Sequence, residues 1–213
     1  MSIGTIIARR LSLLPIVLLG ISFYVFLVLE FSPVDPRFAA LGLYASPEQR
    51  AEFAASNHLD DPVFVRYGRF VSDLAHGNLG VSLVDGRQVS DMIREALPIT
   101  LGLAGTALVI AAIFALLLGT TAAYLSGTWW DAFVRVISSL GVSLPTFWLA
   151  LVLIYVFGVQ FAWLPAGTWI APGDDIVGWA KTTILPAASL AIPVCGFLTR
   201  VVRSSVLDEL GRD

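Results

Sequence analysis

The side chains able to do chemistry are few in these 213 residues, and their spacing argues against most of it. His58 and His76 stand far apart in a polar stretch, with no H-E-x-x-H pattern or cysteine pair to complete a zinc site. Cys195 is the single cysteine, so neither an internal disulfide nor a cysteine-based metal cluster can form. No G-x-x-x-x-G-K-[ST] string is present to cradle nucleotide phosphates, so any ATP dependence must come from a partner, and the chain is not expected to be an enzyme. A proton relay or an intramembrane protease needs ionisable groups at bilayer depth, where each is costly. None stands between Ile99 and Trp130, nor between Val136 and Gly173, and Glu30 is expected to snorkel to the interface from the end of its apolar run. Those runs hold proline with serine or threonine instead: Ser143-Leu144-Pro145-Thr146, Leu185-Pro186 and Pro193. Proline removes a backbone donor from a helix, and a broken helix can line a polar cavity with freed carbonyls and hydroxyls; a plain packing kink is the bland alternative. No metal and no cofactor is expected.

The elements that would position these residues are membrane helices. Hydrophobic residues make up 57% of the chain and charged ones 14%, with a mean hydropathy of +0.82, too little polar surface for a soluble globule. The net charge of −3 and the absence of a dense Lys/Arg run exclude a nucleic-acid partner. The fold class expected is all-α and polytopic, with about four transmembrane helices facing the lipid bilayer and a helical extracytoplasmic insert. Residues 1–31 hold the cytoplasmic N-terminus and the first span, read as an uncleaved anchor because its apolar run is too long for a signal peptide. Residues 32–97 form an extracytoplasmic cap, with a helix starting at the Ser46-Pro47-Glu48-Gln49 capping signal and an apolar-periodic one over Val63 to Leu74. Residues 98–213 form the membrane core, with spans at about 98–125, 136–158 and 182–202.

Gly102 and Thr106, Ala111 and Ala115, and Gly119 and Ala123 are each four apart, the spacing that lets helix backbones approach closely in lipid. Ser126-Gly127-Thr128 with Trp129 and Trp130 reads as a tight interfacial turn, and Asp131 with Arg135 as the aqueous end of the third span. Arg9 and Arg10 before the first span, and Arg200 and Arg203 at the end of the last, place both ends of the chain in the cytoplasm.

Six strings fall in the order seen in one family: Gly77-Asn78-Leu79-Gly80-Val81-Ser82, Leu97-Pro98-Ile99-Thr100-Leu101, Val142 to Trp148, Leu164-Pro165-Ala166-Gly167, Leu185-Pro186-Ala187 and Arg200 to Asp213. The chain resembles the permease subunit of bacterial ABC importers of the dipeptide, oligopeptide and nickel branch, and the resemblance covers nearly all its length. It implies a type I importer of the bacterial inner membrane. Its partners would be a second permease subunit, usually a related one in a heterodimer, two cytoplasmic ABC ATPase subunits and an extracytoplasmic substrate-binding protein. It implies import of peptides or related small solutes by alternating access. Ser143, Pro145, Thr146 and Phe147 would lie near the translocation pathway, and Arg203, Glu209, Gly211 and Asp213 on the approach to the ATPase-coupling loop.

Two departures stand out. Asn78 occupies the place where the family carries aspartate, which should change only a local turn. The family continues past Asp213 into an Ala-Lys-Gly coupling loop and two more spans, so a C-terminally truncated chain is expected. That leaves a non-transporting remnant or membrane scaffold as the alternative. The solute, whether dipeptide, oligopeptide, glutathione or nickel chelate, is not legible.

Overall fold

The computed structural model describes residues 3–31, 35–42, 44–165 and 167–211. Asp213, Ala166 and Pro33 lie outside them. Contacts divide the chain into two compact units, Met1–Arg94 and Glu95–Asp213. Among the described residues there is no β-strand, only a single antiparallel bridge between Val81 and Gln88.

In the first unit, α1 (Ile3–Glu30) is apolar along most of its 28 residues, a length of about 42 Å that exceeds a hydrocarbon layer. Three shorter helices follow. The Asp35 side chain caps α2 (Pro36–Leu41) by accepting from the Arg37 N–H at 2.8 Å. A reciprocal capping box between Ser46 and Gln49 opens α3 (Pro47–Ser56), as its sequence signal predicts. The amphipathic α4 (Val63–Ala75) packs on α1 rather than standing free. Tyr67 sits edge-on to Phe23 at 4.9 Å, Phe64 stacks on Phe23, and Phe70 lies beside Phe26. The Tyr67 hydroxyl donates to the Leu19 carbonyl at 2.9 Å, and Arg66 pairs with Glu30 at 2.6 Å while lying over the Phe26 ring. Glu30 therefore ends its apolar helix with a partner, and α4 is tied to α1 by a polar bond at each side of an aromatic contact.

The second unit is built on α5 (Val89–Tyr124), α6 (Trp129–Ser143), α7 (Thr146–Leu153) and α8 (Ile176–Leu210), with a π-helical stretch, Ile154–Gln160, continuing α7. Two boundaries differ from the sequence expectation. α5 begins ten residues before Ile99, because Pro98 is accommodated inside the helix rather than starting it. α8 likewise absorbs Pro186 and Pro193 and runs beyond 182–202 at both ends. In the third predicted span, of the two readings the sequence left open at Pro145, the broken helix holds and not the plain kink: two helical pieces are set at 101°.

The packing between these helices is made of small residues. Ala107 and Ala111 of α5 meet Ala187 and Ala191 of α8, with Leu103, Ile110 and Cys195 around them. Ala111, Ala115, Gly119 and Ala123, all on the predicted spacing, are buried. A Cβ on Gly119 would come within 2.8 Å of the Val202 Cβ and 2.9 Å of the Thr199 carbonyl oxygen, so α5 and α8 touch backbone to backbone there.

Candidate functional site

The relative directions of the helices follow from which residues meet. At one end of the unit Gly102 of α5 lies by Trp179 of α8, in the middle the alanines meet, and at the other end Gly119 lies by Thr199 and Val202. α5 and α8 therefore run parallel. α6 runs the other way: Asp131 meets Arg203, Ser138 meets Gly196 and Gly141 meets Ile192. Steps of seven and three residues along α6 match steps of seven and four along α8, the register of antiparallel helices packed nearly in line.

This geometry decides how the bent pair should be understood. The chain leaves α5 beside the C-terminal end of α8 and must enter α8 beside the N-terminal half of α5. Residues 125–175 therefore travel the length of the bundle once, as a broken span and not as a re-entrant loop that returns to its starting side.

The break falls part-way along. Gly141, one turn before it, lies against Ile192, so Leu144 and Pro145 are level with the part of α8 between Pro186 and Pro193. Ser143 ends α6; Leu144 (ψ 132°) and Pro145 (ψ 131°) are extended; Thr146 opens α7. Pro145 has no N–H to give the Gly141 carbonyl, and Pro193 none to give that of Ser189, so two facing helices lose a backbone bond at about the same depth. Ser143, Pro145 and Phe147 are exposed and Thr146 half-buried. The Ser143 hydroxyl donates back to the Ser139 carbonyl at 2.8 Å, and Ser139 and Ser143 line a shallow groove along α6 with Arg135. A second cleft, of about 320 Å³, lies between α5, α6 and α8 and is almost wholly apolar; Phe114, Ile137, Ile192 and Cys195 contribute to it.

The other predicted group does not stay together. Glu209 and Gly211 are exposed at the end of α8, where the Gly211 N–H closes the helix on the Leu207 carbonyl at 3.0 Å. Arg203 instead turns inward. Its Nε and Nη2 donate to the two carboxylate oxygens of Asp131 at 2.6 and 2.8 Å. Asp131, expected at an aqueous helix end, is only 1% exposed. It also accepts from the Gly127 N–H at 3.3 Å and has the Arg135 guanidinium at 3.5 Å. Gly127 has φ +79°, a left-handed conformation that a side chain would strain, and this bend aims its N–H at the carboxylate. The carboxylate thus joins the α5–α6 turn, α6 and α8. Sequence inspection missed Asp131 as a site residue because its partner is 72 positions away.

Three helices long and apolar enough to cross a membrane, with a fourth crossing broken at a proline, define a multi-pass membrane protein. Comparison with known proteins names its class. The family described as "Binding-protein-dependent transport system inner membrane component" matches residues 115–213, and the model of its N-terminal part matches residues 3–104. A putative peptide transport system permease protein of Brucella melitensis is 34% identical over 213 residues, all of this chain and 67% of the relative. A probable D,D-dipeptide transport system permease protein of Escherichia coli is 32% identical, covering 100% of this chain and 69% of its own length. An oligopeptide transport system permease protein of Haemophilus influenzae is 33% identical, with 96% and 64% covered. The chain spans about two thirds of the length of the curated relatives it matches. It belongs to the family of binding-protein-dependent transport system inner membrane components.

Proposed function

We propose that this chain is a membrane-spanning permease subunit of an ATP-driven importer for peptides or related small solutes, and that it forms half of a translocation pathway. The observation that carries this reading is similarity, along nearly all of this chain and about two thirds of theirs, to proteins named as peptide, dipeptide and oligopeptide permeases. ATP hydrolysis then belongs to two cytoplasmic ATPase subunits. A second, related permease completes the pathway, and an extracytoplasmic binding protein delivers the solute. Both ends of the chain face the cytoplasm, with the cap of residues 32–97 outside, and access alternates between the two sides.

Within that reading, Ser143, Pro145, Thr146 and Phe147 line the pathway. A broken helix exposes backbone carbonyls and hydroxyls at mid-depth, where an intact one would offer only side chains. Peptides, with an amide donor at nearly every residue, suit such acceptors. The end of α8, from Arg203 through Glu209 to its cap at Gly211, leads toward the ATPase side, and Asp213 follows it in the sequence. The test is uptake of radiolabelled dialanine and tetra-alanine by cells lacking the gene, with and without a plasmid copy. Restored, ATP-dependent accumulation supports the reading; equal uptake in both strains, with the protein present in the membrane, overturns it.

A further inference from the structure

We infer that Asp131 is a positioning residue: its ion pair with Arg203 makes α6 and the C-terminal half of α8 one stiff lever that ends at the Leu144–Pro145 break. The source of the movement, at the end of α8, rests on the importer reading above. The stiffness does not.

The Asp131 site is complete. A carboxylate removed from water at a helix junction is costly unless its lone pairs are filled, and Asp131 has both oxygens engaged by the Arg203 fork, with the Gly127 N–H and Arg135 adding to them. A bidentate fork fixes orientation as well as separation, which a point charge such as lysine does not. Tight packing alone would not require it. Elsewhere the same bundle joins helices with alanine and glycine, and an apolar substitute for a buried ion pair is often as stable. What the ion pair adds is a single relative setting of the two helices.

The register of α6 on α8 extends beyond the pair. From Asp131 the contacts continue in register at Ser138–Gly196, where the Ser138 carbonyl leaves no room for any side chain on the glycine, and at Gly141–Ile192, where a Cβ would lie a tight 3.3 Å from the Ile192 side chain and carbonyl oxygen. α6 cannot slide on α8 without breaking them. It then stops: Leu144 and Pro145 are extended, and the 101° turn into α7 is held by no helical bond across Pro145. Asp131 to Ser143 spans about 18 Å of helix, and Arg203 to the α8 cap at Gly211 about 12 Å more. A displacement at the end of α8 thus reaches the break through a rigid segment and is absorbed at two extended residues. Removing the ion pair would free one end of that lever.

The test uses two arms. Spin labels at Ser126→Cys and Ser205→Cys, in a Cys195→Ala background, report the distance between the α5–α6 turn and α8 in lipid nanodiscs. With Asp131 and Arg203 in place the distribution should be narrow, and Asp131→Asn should broaden it at least about twofold. If Asp131→Asn does not accumulate in membranes, Arg203→Lys, which keeps the charge and loses the fork, should broaden it too. An unchanged distribution in whichever variant is measured overturns the joint. In the importer assembled with its partner subunits, Asp131→Asn should hydrolyse about ten times more ATP per dialanine imported while keeping its hydrolysis rate. Unchanged coupling overturns the lever role even where the distance broadens. Absence of uptake by the unaltered protein refutes the importer reading instead, and the distance arm still decides the joint.

Discussion

Replacing Gly119 by alanine tests whether α5 and α8 are held by backbone contact. The new Cβ would lie 2.8 Å from both Cβ and Cγ1 of Val202 and 2.9 Å from the Thr199 carbonyl oxygen. Carbon atoms rest at about 3.5–4.0 Å, so the helices must part by about 0.7 Å or more, and neither neighbour is the free end of a flexible side chain. Overpacking of this kind costs about 1–3 kcal/mol, while exchanging glycine for alanine inside a helix gains about 0.5–1 kcal/mol. The steric term wins, and a net loss of about 1–2 kcal/mol is expected. Gly105 supplies the control: it lies on the same helix with nothing within 4 Å of a built Cβ, so Gly105→Ala should keep the gain and lose nothing. Reversible unfolding of the purified protein in mixed micelles, followed by helical circular dichroism against denaturant, measures both. Equal stability of the two variants would refute the close approach of α5 and α8 at Thr199–Val202.

Two other substitutions probe polar groups. Tyr67→Phe keeps the ring contacts with Phe23 and Phe70 but deletes the hydrogen bond to the Leu19 carbonyl, so it should cost about 0.5–1.5 kcal/mol and raise protease sensitivity in residues 63–75, read by limited proteolysis. Thr183 is 1% exposed and its hydroxyl has no hydrogen-bond partner among the described residues, so Thr183→Val should leave thermal stability unchanged or raise it by about 1 kcal/mol; a loss of that size would mean the hydroxyl is engaged.

The long apolar runs, the capping box at Ser46, the amphipathic helix after Val63 and the small-residue stripe of α5 could all be read along the chain, because each is set by spacing within one element. Helix ends at prolines were not. Pro98, Pro186 and Pro193 read as possible starts or breaks, yet α5 and α8 run through them, whereas at Pro145 the helix stops. Leu144 sits in the extended conformation that a following proline favours, and local sequence does not say whether neighbouring helices will overrule it. The ion pair of Asp131 was beyond reach for a different reason. Spacing shows that Asp131 and Arg135 share a helix face, but only the antiparallel packing of α6 on α8 brings Arg203 to them and turns an apparent water-facing end into a buried joint.

The central claim is that α5 and α8 cross the membrane in one direction while the broken segment between them returns. Paired periplasm-active and cytoplasm-active reporters fused after Asp61, Thr128, Asp175 and Gly211 test it directly. The expected signals are outside, inside, outside and inside. Thr128 and Asp175 on the same side would contradict the broken span, and with it the placing of Ser143 to Phe147 at mid-depth.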